Sequence, residues 1–301
     1  MKKFYIFAIA ALAMAACNND GSEQINPIVQ NDNVIRLHSS IGSLTRASDG
    51  LLESSFATGT TVKVKPADNA TSGPIATYDW VDYTVGSGGA LTASNTQYFP
   101  ASGSSINISA YYPSTASTDQ NGFVVTLDQA GSNADDVYKA ADLMYATLPG
   151  VSQQTTNPTL IFNHKLSKIK VTLQAGAGIQ ESEINAATVT LKDVVYKGTF
   201  NPATGEFTAS TDTGDKGEVI IARNAGTTAH SAIVIPQSVS GKNIGVTIGG
   251  SERTYSIPSE TQFETGKVYA YTITLSATGI NVQSSIANWG DGVGGNGSVT
   301  F

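Results

Sequence analysis

Cysteine, histidine and cationic residues are scarce in this chain, and each scarcity excludes a class of function. The single cysteine, Cys17, has no partner for a disulfide within one chain. The three histidines, His38, His164 and His230, are scattered, so we interpret them as solvated surface residues rather than a metal or catalytic set. With 17 Lys and Arg against 24 Asp and Glu, the net charge is -7 and there is no basic patch for nucleic acid. We therefore expect no cofactor and no nucleic-acid partner.

Sequence motifs for catalysis and for phosphate binding are also lacking. No Gly-x-Ser-x-Gly nucleophile elbow is present. The glycine-rich stretch at residues 290–297 lacks the Lys-Ser/Thr ending of a phosphate-binding loop. An enzyme is therefore the least favoured of the three functional classes considered below.

The composition that remains is typical of an extracellular β protein. Thirty glycines and 12 tyrosines, with abundant Thr and Ser and only 14% charged residues, favour an all-β fold over a helical one. Beyond the N-terminus no apolar run approaches the roughly 20 residues that span a membrane. Any membrane attachment is therefore expected at the N-terminus.

The first 17 residues have the layout of an export signal. Lys2 and Lys3 form a charged start, and residues 4–16 are an uncharged apolar stretch of 13 residues that ends in small side chains. The segment resembles a bacterial lipobox, although Met14 stands where such motifs usually carry leucine. That resemblance implies cleavage before Cys17 and acylation of the new N-terminus, with palmitate and membrane lipid as the expected contacts.

Length and pattern predict two domains behind this signal. Removal of residues 1–16 leaves 285 residues, which is long for one core, and moves the net charge to about -9 because Lys2 and Lys3 are lost. The predicted divisions are a signal peptide at 1–16, a tether at 17–33, an N-terminal β-sandwich at 34–158, a C-terminal β-sandwich at 159–278 and a tail at 279–301.

Residues 34–41 begin the first predicted sandwich with strict alternation. Ile35, Leu37 and Ile41 fall on one face, which is the period of a half-buried strand. A turn-rich link follows, with Arg46 in its middle. Further strand candidates in this half are residues 62–64, 78–85, 97–99, 106–112, 123–127 and 143–146.

A second set of strand signals begins near residue 159. Gly, Pro, Asn and Ser clusters separate the signals at intervals that suit antiparallel sandwiches of about seven strands each. Only residues 135–141 suggest a short helix. The candidate strands are residues 160–162, 169–173, 189–191, 196–200, 207–209, 219–222, 233–235, 244–248 and 269–275.

The C-terminal tail is unexpected after a complete sandwich. Ile280, Val282 and Ile286 alternate again with polar residues. The tail is either an extra edge strand or a strand intended for another molecule.

Several further segments stand out in order along the chain: the lipobox, residues 44–46, 142–146, 162–169 and 233–237, and the pair Trp289-Gly290. Together they resemble the fimbrillin family of Bacteroides-type bacteria, whose members are like type V pilus subunits. The resemblance covers nearly the whole chain and implies two tandem transthyretin-like Greek-key β-sandwich domains. It also implies an outer membrane lipoprotein of the cell surface that is built into a fimbrium with other fimbrial subunits and contributes to cell adhesion.

The same resemblance implies a mechanism of assembly. In such pilins a trypsin-like surface protease cuts after an arginine that follows the first strand, the strand leaves, and a neighbour's C-terminal strand fills the groove. Here Arg46 and Ala47 flank the implied cleavage site. The strand carrying Ile35, Leu37 and Ile41 is then the displaced strand, and the donor strand carries Ile280, Val282 and Ile286.

A non-polymerising surface lipoprotein or tip adhesin that binds glycans or host proteins is the alternative. Exposed aromatic faces bind sugars, and an aromatic-rich region in the first half could supply them. Alternation within that region separates Tyr78 and Trp80 from Tyr83, so at least one set is expected in the core. The aromatic residues concerned are Tyr78, Trp80, Tyr83, Tyr111 and Tyr112.

Overall fold

The chain is almost entirely β, as the composition predicts. A computed structural model describes residues 33–42, 55–71, 73, 75–116, 118, 122–130, 134–224, 226–258 and 261–288. Two α-helices, α1 at Ala134–Ala141 and α2 at Glu181–Asn185, and two 3-10 turns at Ser87–Gly89 and Thr213–Asp215 are found in these residues. Neither α-helix in the described ranges is long and apolar enough to cross a membrane.

Twenty strands are found in the described residues. Their bounds are β1 Leu37–Ile41, β2 Thr61–Asp68, β3 Val81–Val85, β4 Ala90–Ala93, β5 Ile106–Tyr112, β6 Phe123–Val124, β7 Met144–Val151, β8 Thr159–His164, β9 Ser167–Ala175, β10 Thr188–Val195, β11 Lys197–Asn201, β12 Glu206–Ala209, β13 Lys216–Arg223, β14 Ala229–Val234, β15 Gln237–Ser238, β16 Asn243–Ile248, β17 Ser251–Ser256, β18 Gln262–Phe263, β19 Lys267–Ser276 and β20 Gly279–Asn288.

The first half of the chain forms a closed sheet in the order β1-β4-β3-β2-β5-β7-β8. Its strands alternate, so that Val62 and Val64 of β2 and Ile106 and Ile108 of β5 point into one apolar core. β1 joins β4 in antiparallel fashion and β8 in parallel fashion. The first strand of the fold is therefore enclosed between two neighbours.

The second half forms a larger sheet in the order β17-β16-β10-β13-β14-β9-β19-β20. Toward one end of this sheet β9 and β19 run parallel over eight register pairs. Tyr269, Tyr271, Ile273 and Leu275 of β19 alternate toward the core, as their period predicts. β20 lies at one end of this sheet.

An aromatic cluster joins the two sheets within one compact unit. Phe200, from the hairpin of β11 and β12, lies 5.5 Å from Tyr111 and 6.2 Å from Tyr145 between ring centroids. Gly205 at the hairpin turn has a φ of +70°, and a Cβ there would meet the Tyr145 ring at 2.1 Å. Glycine is required at this position because the hairpin lies directly on the ring.

One sequence assignment is wrong. Residues 159–164, placed at the start of the second sandwich, form β8 and pair with β1 and β7 in the first sheet. The chain crosses between sheets at a two-residue bend, where Lys165 donates a backbone hydrogen bond to the Leu143 carbonyl and Leu166 accepts one from Gly266. The alternation of β8 runs into that of β9 without a turn signal, so the sequence does not reveal the crossing. The domain boundaries as a whole stay a prediction.

Other strand predictions fare unevenly. The segment 106–112 is confirmed as β5, and the short helix at 135–141 is confirmed as α1. Residues 97–99 form no strand, and Tyr98 makes only an isolated bridge to Val34. β17, with the sequence Ser-Glu-Arg-Thr-Tyr-Ser, was not predicted because it lacks an apolar face. The number of Greek-key domains stays a prediction.

Candidate strand-exchange site

β1 is buried in the first sheet through the residues that alternation placed inward. Ile35, Leu37 and Ile41 are 4%, 1% and 5% exposed. They belong to the same apolar cluster as the inward residues of the neighbouring strands. The three predicted side chains of the displaced strand are thus core residues of the sheet that they would leave.

The backbone of β1 is bonded on both sides. On one side Leu37 faces Leu91 of β4, and on the other Ile41 faces Phe162 of β8. The ladder with β8 has four register pairs and the ladder with β4 has two. β1 is therefore an internal strand, and its removal would leave two unpaired strand edges.

Further hydrogen bonds hold the two ends of this segment. The Ile35 amide donates to the Gln97 carbonyl at 2.9 Å, just before β1 begins. The Gly42 amide donates to the Phe162 carbonyl at 2.7 Å, just after β1 ends. The ordered segment thus extends beyond the strand proper and covers residues 35–42.

Ser39 falls on the inward face by alternation, but the sequence did not predict the contact that it makes. Its side chain is 8% exposed, and its hydroxyl donates a hydrogen bond of 3.1 Å to the carbonyl of Gly89. Gly89 has a φ of +81°, and a Cβ there would lie 2.4 Å from the Ser39 carbonyl oxygen. The two backbones therefore approach so closely that only glycine fits opposite Ser39.

The chain is anchored in the same core again soon after β1. Phe56 packs edge-on against Phe162, with 5.0 Å between ring centroids. The predicted cleavage site, Arg46 and Ala47, and the predicted lipidation site, Cys17, lie outside the described residues. A cut between residues 46 and 47 would thus separate β1 from a chain that re-enters the core at Phe56.

The predicted donor segment forms β20 in the second sheet. It pairs antiparallel with β19 over ten register pairs, from Lys267–Asn288 to Ser276–Gly279. Among the described residues β20 has no other strand neighbour. Of the two alternatives that the sequence left open, this structure shows an edge strand on the chain's own sheet.

The apolar residues of β20 are covered unequally. Val282 is 9% exposed and Ile280 is half-buried, whereas Ile286 is 63% exposed. An isoleucine with that exposure, near the end of an edge strand, contributes little to its own sheet. Only part of the apolar face of β20 is therefore buried in this structure.

The expectation that the histidines are solvated is wrong for two of them. His164 is buried, and its Nδ1 lies 2.8 Å from Oδ1 of the buried Asp142. His230 is buried in β14, and burial lowers the pKa of its imidazole. His230 lies in β14, whose residues 231–234 are also buried, and His164 is the last residue of β8. Alternation does not encode this long-range burial.

The aromatic residues considered for sugar binding lie largely in the core. Tyr83 is fully buried, and burial raises its pKa to about 12. Tyr111 is buried in the cluster between the sheets, with the half-buried Trp80 at 4.9 Å. Tyr78 donates its hydroxyl to the Tyr98 carbonyl. These residues form no continuous exposed aromatic face.

The sequence matches one protein family over most of its length. The profile described as fimbrillin-like matches residues 45–289. The chain belongs to the fimbrillin-like family. The resemblance drawn from the sequence motifs is thereby confirmed.

Individual relatives extend this match. A protein of Bacteroides uniformis named as the fimbrium subunit Fim1C is 28% identical over 299 residues, which cover 95% of this chain and 94% of that protein. Crystal structures of proteins described as cell adhesion proteins share the fold. That from Bacteroides uniformis has a TM-score of 0.67 at 24% identity and covers 86% of this chain and 99% of its own. The structure from Bacteroides ovatus has a TM-score of 0.66 at 23% identity, and the match covers 85% of this chain and 97% of that one.

Proposed function

We propose that this chain is a structural subunit of a pilus, exported as a lipoprotein and polymerised by protease-triggered strand exchange. The observation that carries the proposal is the position of β1. The strand is internal, its three inward aliphatic side chains are core residues, and it precedes Arg46. Loss of this one strand would open a slot in an otherwise complete sheet.

The chemistry of the opened slot favours another strand as its occupant. Burial of Ile35, Leu37 and Ile41 contributes about 1.5 to 3 kcal/mol for each side chain, on the order of 5 to 9 kcal/mol together. The edges of β4 and β8 would also lose their hydrogen-bond partners, which adds a desolvation cost for each buried group. A strand with the same alternation satisfies both needs at once.

The cut acts by changing the effective concentration of β1. While the chain is continuous, β1 is tethered to its slot and rebinds at once after any local opening. After cleavage the strand is held only by non-covalent contacts, and a segment from another molecule can compete for the slot. Exchange is then favoured by a high local density of subunits at the cell surface.

The donor and acceptor surfaces lie on different sheets of the molecule. A contact from the tail of one copy to the first sheet of the next is heterologous, since it joins two different surfaces. Repetition of such a contact leads to an open fibre rather than a closed dimer. The family and the name of the Bacteroides uniformis relative support assembly into a fimbrium.

The same cut would release the subunit from its anchor. Acylation at Cys17 would tether the uncut chain to the outer membrane, and the tether and β1 lie on the same side of Arg46. Cleavage therefore couples release from the lipid to opening of the slot. A surface location in a fimbrium, with other subunits and a trypsin-like protease as partners, follows from this scheme.

The proposal is tested with a chain that starts at Asn18 and is treated with an arginine-specific protease. We expect filaments in electron micrographs and an N-terminal Ala47 in the filament protein. The Arg46→Gln variant is the matched control and should stay monomeric under the same treatment. Complete cleavage after Arg46 with only monomers afterwards would contradict the proposal.

A further inference from the structure

The segment 35–41, which includes β1, is similar in sequence to the segment 280–286 of β20. Residues 35–41 read Ile-Arg-Leu-His-Ser-Ser-Ile, and residues 280–286 read Ile-Asn-Val-Gln-Ser-Ser-Ile. Four of the seven positions are identical, and a fifth exchanges Leu37 for Val282. Aligned in this way, the two segments place an aliphatic side chain at the first, third and seventh positions and a serine at the fifth.

The fifth position distinguishes this match from simple alternation. A half-buried strand of this length would ordinarily carry a large apolar side chain there, since its residue faces inward. In β1 this residue is Ser39, which is buried beside Gly89 and donates its hydroxyl to the Gly89 carbonyl. β20 carries Ser284 at the equivalent position.

The slot has a reason to require serine at one position. Gly89 is the last residue of the 3-10 turn that immediately precedes β4, next to the antiparallel pair of His38 with Ala90. It lies against the backbone of Ser39. A strand shifted by two residues would place Val282 or Ile286 beside Gly89, where neither can donate a hydrogen bond to its carbonyl. The serine therefore identifies one register out of those that alternation allows.

The aligned isoleucines of the two segments differ in burial. Ile286 is 63% exposed on β20, whereas Ile41, at the aligned position, is 5% exposed in its slot. β20 has one strand neighbour among the described residues, and β1 has two. The segment 280–286 would thus gain apolar burial and a second row of backbone hydrogen bonds at the position of β1.

We infer that the donated β20 fills the opened slot in one register only, the register that puts Ser284 beside Gly89. In this register Ile280, Val282 and Ile286 occupy the positions of Ile35, Leu37 and Ile41. Ser284 is the register-determining residue. This inference rests on the proposed strand exchange and specifies the alignment of the donated strand in the slot.

Disulfide trapping tests the register. A chain that starts at Asn18 lacks cysteine, so disulfides can form only between the engineered cysteines. One chain carries Ala90→Cys as acceptor and is mixed with a donor chain carrying Gln283→Cys, because position 283 aligns with His38, the partner of Ala90. The matched donors are Asn281→Cys and Ser285→Cys, which would face Ala90 only after a shift of two residues. Each mixture is cut at Arg46 and oxidised mildly.

The yield of intermolecular disulfide should be about tenfold or more higher with the Gln283→Cys donor than with either of the other two donors, because cross-strand disulfides need close Cα atoms. A single uncut chain carrying both His38→Cys and Ala90→Cys is the positive control and should form an internal disulfide. Filaments with equal trapping of all three donors, or with a maximum at 281 or 285, would overturn the inference and leave strand exchange intact. Cleaved chains that neither form filaments nor cross-link would overturn both.

Discussion

The segment 35–41, which includes β1, and the segment 280–286 of β20 share four of seven residues in two different environments, and the difference is in their neighbours. β1 lies between two strands and buries Ile41, whereas β20 has one described neighbour and leaves Ile286 largely exposed. The comparison shows that this sequence suits an internal position and that only one of the two copies has it. An unequal pair of this kind is what strand exchange requires.

Truncation of the aligned isoleucines should give the largest contrast between the two strands. In the uncut chain, Ile41→Ala should lower the free energy of unfolding by about 2 to 5 kcal/mol because it leaves a cavity in a closed core. Ile286→Ala should change it by no more than about 0.5 kcal/mol because that side chain is mostly exposed. Urea unfolding of both variants measures this. Equal losses of stability would show that the two isoleucines do not differ in their contribution to the fold.

Removal of the aligned serine hydroxyls should give a smaller contrast. Ser39→Ala should lower the free energy of unfolding by about 0.5 to 1.5 kcal/mol, since the Gly89 carbonyl loses its donor. Ser284→Ala should lie within about 0.5 kcal/mol of the unmodified chain. Urea unfolding again provides the measurement. A larger loss at position 284 than at 39 would show that the hydroxyl matters more on β20 than in the slot.

Acidification weakens one region selectively and should give the smallest effect. Burial, with a further contribution from Arg223, holds the pKa of His230 below its usual value, and neither ring nitrogen has a hydrogen-bond partner in the described residues. The unfolded chain therefore binds a proton more readily as pH falls below about 6.5, and the stability from this site is lost. His230 lies in the sheet that carries β20, not in the sheet that carries β1.

The measurement is the free energy of unfolding between about pH 7.5 and 5.5, compared with that of His230→Leu. The variant should show a shallower loss of stability toward acid because it removes one group that titrates on unfolding. Identical slopes in the two proteins would show that His230 does not contribute to the pH dependence.

Much of the candidate site could be predicted from local pattern. Alternation correctly assigned Ile35, Leu37 and Ile41 to a buried face, because side-chain direction in a strand repeats every two residues. It also identified the strand at 280–286 without deciding where that strand lies. The cleavage and lipidation residues, Arg46 and Cys17, stay predictions.

Contacts between distant segments could not be predicted in the same way. The pairing of His38 with Thr159 joins residues from opposite ends of the first half of the chain. Because of this pairing β8 belongs to the first sheet and not, as the sequence suggested, to the second. The burial of His164 beside Asp142 likewise depends on the bend after β8. No periodic signal marks such pairings.

The sequence by itself determined an all-β chain with an export signal pattern, membership of the fimbrillin-like family and two segments of matching alternation. Only the tertiary structure decided that one of these segments is internal and the other lies at an edge, and that Ser39 meets Gly89. The physical reason is that side-chain period is a property of a few consecutive residues, whereas burial and hydrogen-bond partners depend on which distant strands the folded chain brings alongside.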